Sequence, residues 1–114
     1  MQPEDVVRTT YSAYNARNLD LAVANLTTDV EWDDGTGRIV HGPDAVAVHW
    51  TEQWRTADAR VEIEHLEWIG DELSLGVRLE TYGPDGGRRK QSLTNVIGFQ
   101  GDPIRSMHIK AGAS

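Results

Sequence analysis

The stretch VEWDDGTGRIVHG, residues 30–42, gathers Glu31, Asp33, Asp34 and His41 beside Trp32. Read as a strand, its side chains alternate between two faces, so Val30, Trp32 and Asp34 share one parity and Glu31 and Asp33 the other. A carboxylate beside an indole and away from water has its charged form disfavoured, which raises its pKa. In that setting Asp34 is a candidate general base, taking a proton from carbon or from water. Glu31 and Asp33 read as solvent-side charges. A second polar residue breaks an apolar parity downstream, where Asn95 shares a face with Leu93, Ile97 and Phe99. A polar group on an apolar face must find a partner or meet a cavity. An amide N–H on a cavity wall can donate to an oxygen on which charge develops. One base and one donor in an apolar cup suit enolisation, cyclisation or dehydration of a small carbonyl compound. A plainer reading stays open for both: Asp34 precedes Gly35-Thr36-Gly37 and can cap that turn, and Asn95 can satisfy a bulge.

The residues around such a pair are aromatic. Trp32, Trp50, Trp54 and Trp68 are many tryptophans for a chain of 114 residues. Each taken singly reads as core. With Tyr11, Tyr14 and Phe99 they can line a pocket for a flat or cyclic ligand, to which Ile97 adds an apolar wall and His49, beside Trp50, an edge. A metal held by Asp33 or Asp34 with His41 and His49 is another reading of the same cluster. The tight spacing of helical metal sites, H-x-x-x-H, does not occur, so neither metal nor cofactor is expected. His65 and His108 fall in strands and read as structural or exposed. There is no Ser-His-Asp pattern or phosphate loop, and Gly83-Pro84-Asp85-Gly86-Gly87 is a hairpin turn with no helix after it.

These side chains need a scaffold. Pro3, Glu4 and Asp5 suit the first turn of a helix that carries Val7, Tyr11 and Tyr14 on one stripe. Asn18 caps a second short helix, and Gly42-Pro43-Asp44 starts a third with Val46, Trp50 and Trp54 on one side. Strands follow. Leu73, Leu75, Val77 and Leu79 alternate cleanly with polar residues. Between Val61 and Ile69 the apolar parity changes, from Val61 and Ile63 to Leu66 and Trp68, which calls for a bulge near His65 or for cover on both faces. Helices first and antiparallel strands after give an α+β domain, one domain over 1–114.

Eighteen acidic residues against eleven basic give a net charge of −7, and the longest basic run is Arg88-Arg89-Lys90, so a nucleic-acid partner is not expected. There is no cysteine, hence no disulfide or thiol chemistry. The start of the chain has no basic leader and no stretch approaches the ~20 apolar residues of a membrane span. A soluble, cytoplasmic protein is the expectation.

In this order, YSAYNARNLDLAVANLTTDVEWDDG (11–35), VHGPDAVAVHWTEQW (40–54) and NVIGFQGDPIRSMHI (95–109) resemble the SnoaL-like branch of the NTF2-like superfamily, which includes ketosteroid isomerase. The resemblance runs from about Pro3 to Ile109 and rests on the patterns N-A-x-[ND]-L-D, D-V-x-W and H-G-x-[DE]-A-V. It implies a cone made by a curved antiparallel or mixed sheet around three helices, with a small hydrophobic pocket at the open end. It implies a homodimer through the outer sheet face, burying outward residues such as Leu66 or Trp68. It places the isomerase's base on Asp34, its neutral carboxylic donor on Asn95, and its tyrosine donor on Thr10, a departure. The activity implied is a cofactor-free isomerase, cyclase, dehydratase or epoxide-hydrolase-like enzyme on a small hydrophobic molecule. The same family also implies a ligand-binding protein without turnover, or, like the transport factor, an interaction domain.

Overall fold

The structure, a computed structural model, describes residues 2–110. Helix α1 (Pro3–Asn15) opens with Pro at its first turn and Glu4 and Asp5 against the positive end of its dipole, as the sequence predicts. Asn18 caps α2 (Leu19–Ala24), its side-chain oxygen accepting from Leu21 N at 3.2 Å. Helix α3 (Pro43–Ala57) ends on Asp58 in the left-handed region, φ 44°. Arg17, the other non-glycine residue with positive φ, makes the reversal between α1 and α2, and its guanidinium pairs with Asp58 and donates to Ala59 O at 2.6 Å. Two strained reversals thus hold each other. None of these helices is long and apolar enough to cross a membrane.

Six strands, β1 (Leu26–Asp33), β2 (Ile39–His41), β3 (Arg60–Ile69), β4 (Glu72–Tyr82), β5 (Arg88–Phe99) and β6 (Ile104–Lys110), form one curved sheet in the order β2-β1-β6-β5-β4-β3. Only the β1–β6 pairing is parallel, so the sheet is mixed. The three helices fill its concave side, where Val7, Val46, Leu73, Leu75, Val77 and Ile97 are fully buried. The fold class read from the sequence is the one observed.

The parity change in β3 comes from a bulge. Register slips between Ile63, opposite Val77, and His65, opposite Gly76. Beyond it Leu66 pairs with Leu75 and Trp68 with Leu73, so both lie on the inner face with their buried partners. The expectation that Leu66 and Trp68 point outward toward a second subunit is therefore corrected. Trp68 instead donates its indole N–H to Glu4 at 2.7 Å and packs against Phe99, ring centroids 5.7 Å apart. On the outer side the His65 ring lies over Gly76, where a Cβ would approach it to 2.1 Å. Only glycine leaves room for the bulged histidine.

Edge strand β3 is fastened to α1 by one side chain. Asn15 donates to Val61 O at 2.6 Å and accepts from Val61 N at 2.9 Å, replacing a missing neighbour strand at that point. Asn15→Ala leaves both backbone groups without their partner. We expect it to lower unfolding stability by about 1–3 kcal/mol, read as a shift in the urea midpoint at unchanged slope.

Candidate functional site

A cavity of about 270 Å³ opens between α1, α3, the β1–β2 loop and the concave sheet face. Its floor is Thr10, Tyr11 and Asn95, its walls include Trp32, Trp50 and Tyr14, and its rim carries Asp33, Asp34, Thr36 and His49. Asp34 and Asn95 thus line one cavity from opposite ends.

At the floor the helical stripe of α1 meets β5. Asn95 donates its amide N–H to the Tyr11 hydroxyl oxygen at 2.8 Å. Burial pushes the Tyr11 pKa well above its ordinary value of 10.0, against a smaller opposing effect of the Asn95 bond, so the hydroxyl keeps its proton. A tyrosine donor does reach the floor, from the residue after Thr10. Thr10 itself lines the cavity and is buried.

The walls are aromatic and tightly set. Trp50 meets Trp32 edge to face at 5.1 Å and Tyr14 at 5.8 Å. The Tyr14 hydroxyl donates to Gln53 Oε1 at 3.0 Å, and burial pushes its pKa up to about 12, with Arg17 pulling the other way. Gln53 also lines the cavity. It lies three residues beyond Trp50, on the same face of α3, and that spacing was the available sequence signal.

The rim corrects the sequence reading of both aspartates. Asp34 Oδ1 accepts from the Thr36 backbone N at 2.8 Å and from the Thr36 hydroxyl at 2.6 Å. Asp34 lines the cavity at its rim, and its carboxylate caps the Gly35-Thr36 turn. The Thr36 hydroxyl first, and then its backbone N–H, hold the carboxyl below its ordinary 3.8, the opposite of the raised value expected beside an indole. Burial is too slight at this rim to reverse that. Asp33, read as a free solvent charge, is half-buried and bonded: Oδ1 accepts from Gly35 N at 2.8 Å and Oδ2 from Ile109 N at 3.1 Å. It ties the end of β1 to β6. The Asp-x-Gly spacing carried that signal. Burial lowers the pKa of His49, and the charges of Asp34 and Asp33 oppose the shift without overcoming it.

Three sequence-predicted ligand contacts lie away from the cavity. Trp54 packs on the far side of Tyr14, at 5.4 Å, and under the Arg17 guanidinium, also at 5.4 Å. Ile97 is fully buried in the core, and Phe99 is engaged with Trp68. Tyr11, Tyr14, Trp32, His49 and Trp50 do line it. Among the described residues no group of three His, Asp or Glu side chains stands close enough to hold a metal ion.

The Thr36 bonds give a pH prediction. A lowered folded-state pKa means that the ionised Asp34 adds stability above its unfolded value, and this is lost as pH falls through the folded value. Thr36→Val removes the hydroxyl donor. We expect the Asp34 titration, followed by carboxyl carbon NMR, to move upward toward the ordinary aspartate value.

Residues 7–107 match the SnoaL-like domain family. No curated protein matches the chain. Solved structures share the fold at low identity. The Δ5-3-ketosteroid isomerase of Mycobacterium sp. is 15% identical, with 98% of this chain and 95% of that one covered and a TM-score of 0.83. A Mycobacterium tuberculosis protein in complex with estradiol-17beta-hemisuccinate is 14% identical, covering 99% and 96%, TM-score 0.85. A ketosteroid isomerase-like fold from Catenulispora acidiphila, in complex with trimethylamine, is 14% identical, covering 100% and 89%, TM-score 0.84. At such identities the likeness is one of fold.

Proposed function

The chain belongs to the SnoaL-like domain family, and on that premise we propose that it binds a small cyclic carbonyl compound in the cavity and moves a proton on it without a cofactor. The observation that carries this reading is that Asp34 and Asn95 line one cavity, with the Tyr11 hydroxyl bonded to Asn95 at its floor and aromatic walls. Asp34 takes a proton from the carbon beside the carbonyl. The Tyr11 hydroxyl, oriented by Asn95, donates to the oxygen on which charge develops. Isomerisation, cyclisation and dehydration all share this step. The lowered pKa of Asp34 makes it a weaker base than one in an apolar pocket, but it keeps the carboxylate ionised throughout the neutral range. It therefore suits substrates whose carbon-bound proton is already activated.

One assay reads the shared step without knowledge of the natural substrate. 1-Tetralone is incubated with the protein in deuterium oxide and deuterium uptake beside the carbonyl is followed by proton NMR. The proposal expects uptake above the buffer rate, reduced in Tyr11→Phe. Uptake at the buffer rate, with the ketone shown to bind, favours a ligand-binding protein without turnover.

A further inference from the structure

Tyr11 and Val61 line a second recess besides the cavity, a groove of about 450 Å³ between α1 and the edge of the sheet. Arg8 and Ser12 of α1, one helical turn apart, face it together with Arg60 and Glu62 of β3 and Arg78 and Glu80 of β4. Its charges do not balance. Glu62 pairs with Arg78 at 2.6 Å. Glu80 accepts from the Tyr82 hydroxyl at 2.6 Å and pairs at 3.5 Å with Arg88, which lies outside the groove. Arg8 and Arg60 have no ion-pair partner among the described residues. Two cations are thus left over in one groove of a chain whose net charge is −7.

An exposed arginine standing alone is ordinarily a solvated surface charge. These two are held in place relative to each other. Asn15 bonds both backbone groups of Val61, the residue after Arg60, and shares one face of α1 with Arg8 and Ser12. That clamp sets the stem of Arg8 against the stem of Arg60, so a ligand bridging them does not have to order α1 on β3. Guanidinium groups present forked N–H donors that match the oxygens of a carboxylate or a phosphate. A single carboxylate neutralises only one of the pair. A phosphate monoester carries close to two charges at neutral pH and three acceptor oxygens, enough for Arg8, Arg60 and the Ser12 hydroxyl at once.

We propose that the groove between α1 and β3 is an anion site, separate from the central cavity, that takes the doubly charged phosphate group of a small ester on Arg8 and Arg60. Ser12 adds a neutral donor, and Val61 and Ile63 give the organic part of the ester an apolar rest. The site stands whether or not the cavity turns its own ligand over.

The test is titration of the isotope-labelled protein at pH 8 with glycerol 3-phosphate, followed through the backbone amide NMR signals, against methyl sulfate and succinate. We expect saturable shifts confined to α1 from Arg8 to Asn15 and to β3 from Arg60 to Ile63. The affinity should be about tenfold above that of singly charged methyl sulfate. Succinate, which spreads two charges over separated carboxylates, should also bind more weakly. Arg8→Gln and Arg60→Gln should each weaken glycerol 3-phosphate about tenfold, and both side chains are exposed, so neither change disturbs the core. Equal affinity for methyl sulfate or succinate, or wild-type affinity in both variants, overturns the proposal. So does a titration without saturation, or one whose shifts centre on Arg88-Arg89-Lys90 or on the cavity rim. The 1-tetralone assay reads the cavity and this titration the groove, so either reading can fail alone.

Discussion

Asp34→Asn is expected to lower the rate of deuterium uptake about 10²–10⁴-fold, the range supplied by a positioned acid–base group, while leaving the fold and ligand affinity close to wild type. The substitution keeps an oxygen where Asp34 Oδ1 accepts from Thr36, so the turn has the means to persist. It removes only the capacity to hold a proton taken from carbon. Three readings separate on this result. A base at Asp34 loses rate and retains ligand, a binding protein has no rate to lose, and a base elsewhere keeps its rate. Circular dichroism and a titration with 1-tetralone serve as controls for fold and for ligand affinity.

The largest expected effect on stability lies in the cavity wall. Trp50 is 2% exposed and touches Trp32 and Tyr14 edge to face. Trp50→Ala removes a large buried ring at the junction of α3 with the sheet, and such truncations cost about 3–5 kcal/mol. Small domains are stable by only about 5–15 kcal/mol in total, so the urea midpoint should fall steeply and ligand binding should be lost with it. Trp54→Ala is the matched control. Trp54 is half-buried on the outer side of Tyr14, away from the cavity. It should cost less and spare binding.

Comparing these two tryptophans shows what the sequence could and could not convey. Positions four apart on a helix differ by about 40° in direction, enough for Trp50 to face the cavity and Trp54 to reach Arg17. A stripe of apolar residues predicts burial but not which neighbour is met. The same holds along β5. Parity turned Asn95, Ile97 and Phe99 to one face correctly, but each step of two residues advances about 6.6 Å, so Ile97 lies in the packed core and Phe99 beyond it. The strand pattern from Leu73 to Leu79 was readable because nothing interrupts it. In β3 the pattern was interrupted, and both explanations for the parity change were consistent with the sequence. The bulge at His65 depends on Gly76, its register partner in the next strand of the hairpin, and a single-strand pattern holds no trace of that contact.

Asp34 is the most instructive residue. By parity it reads as part of a strand, whereas β1 ends at Asp33 and Asp34 belongs to the loop beyond it; its turn-forming potential was legible. Its electrostatics was not, since parity says where a side chain points and nothing of the donors that meet it. Two bonds from Thr36 outweigh a rim position that is only partly shielded from water. Tyr11 was obscured in a different way. The resemblance placed the tyrosine donor on Thr10, and the adjacent Tyr11 proved to be the hydroxyl in contact with Asn95.

The central claim is that Asp34 accepts the proton, and the pH dependence of deuterium uptake tests it most directly. His49 is the competing base on the same rim, with a pKa lowered from 6.5 by burial, while Asp34 lies below 3.8. The account predicts a rate independent of pH from about pH 5 to about pH 8, because the carboxylate is ionised throughout that span. A rate that climbs through an acid limb between about pH 5 and about pH 6.5, and that survives Asp34→Asn, would place the base at His49 and contradict the account.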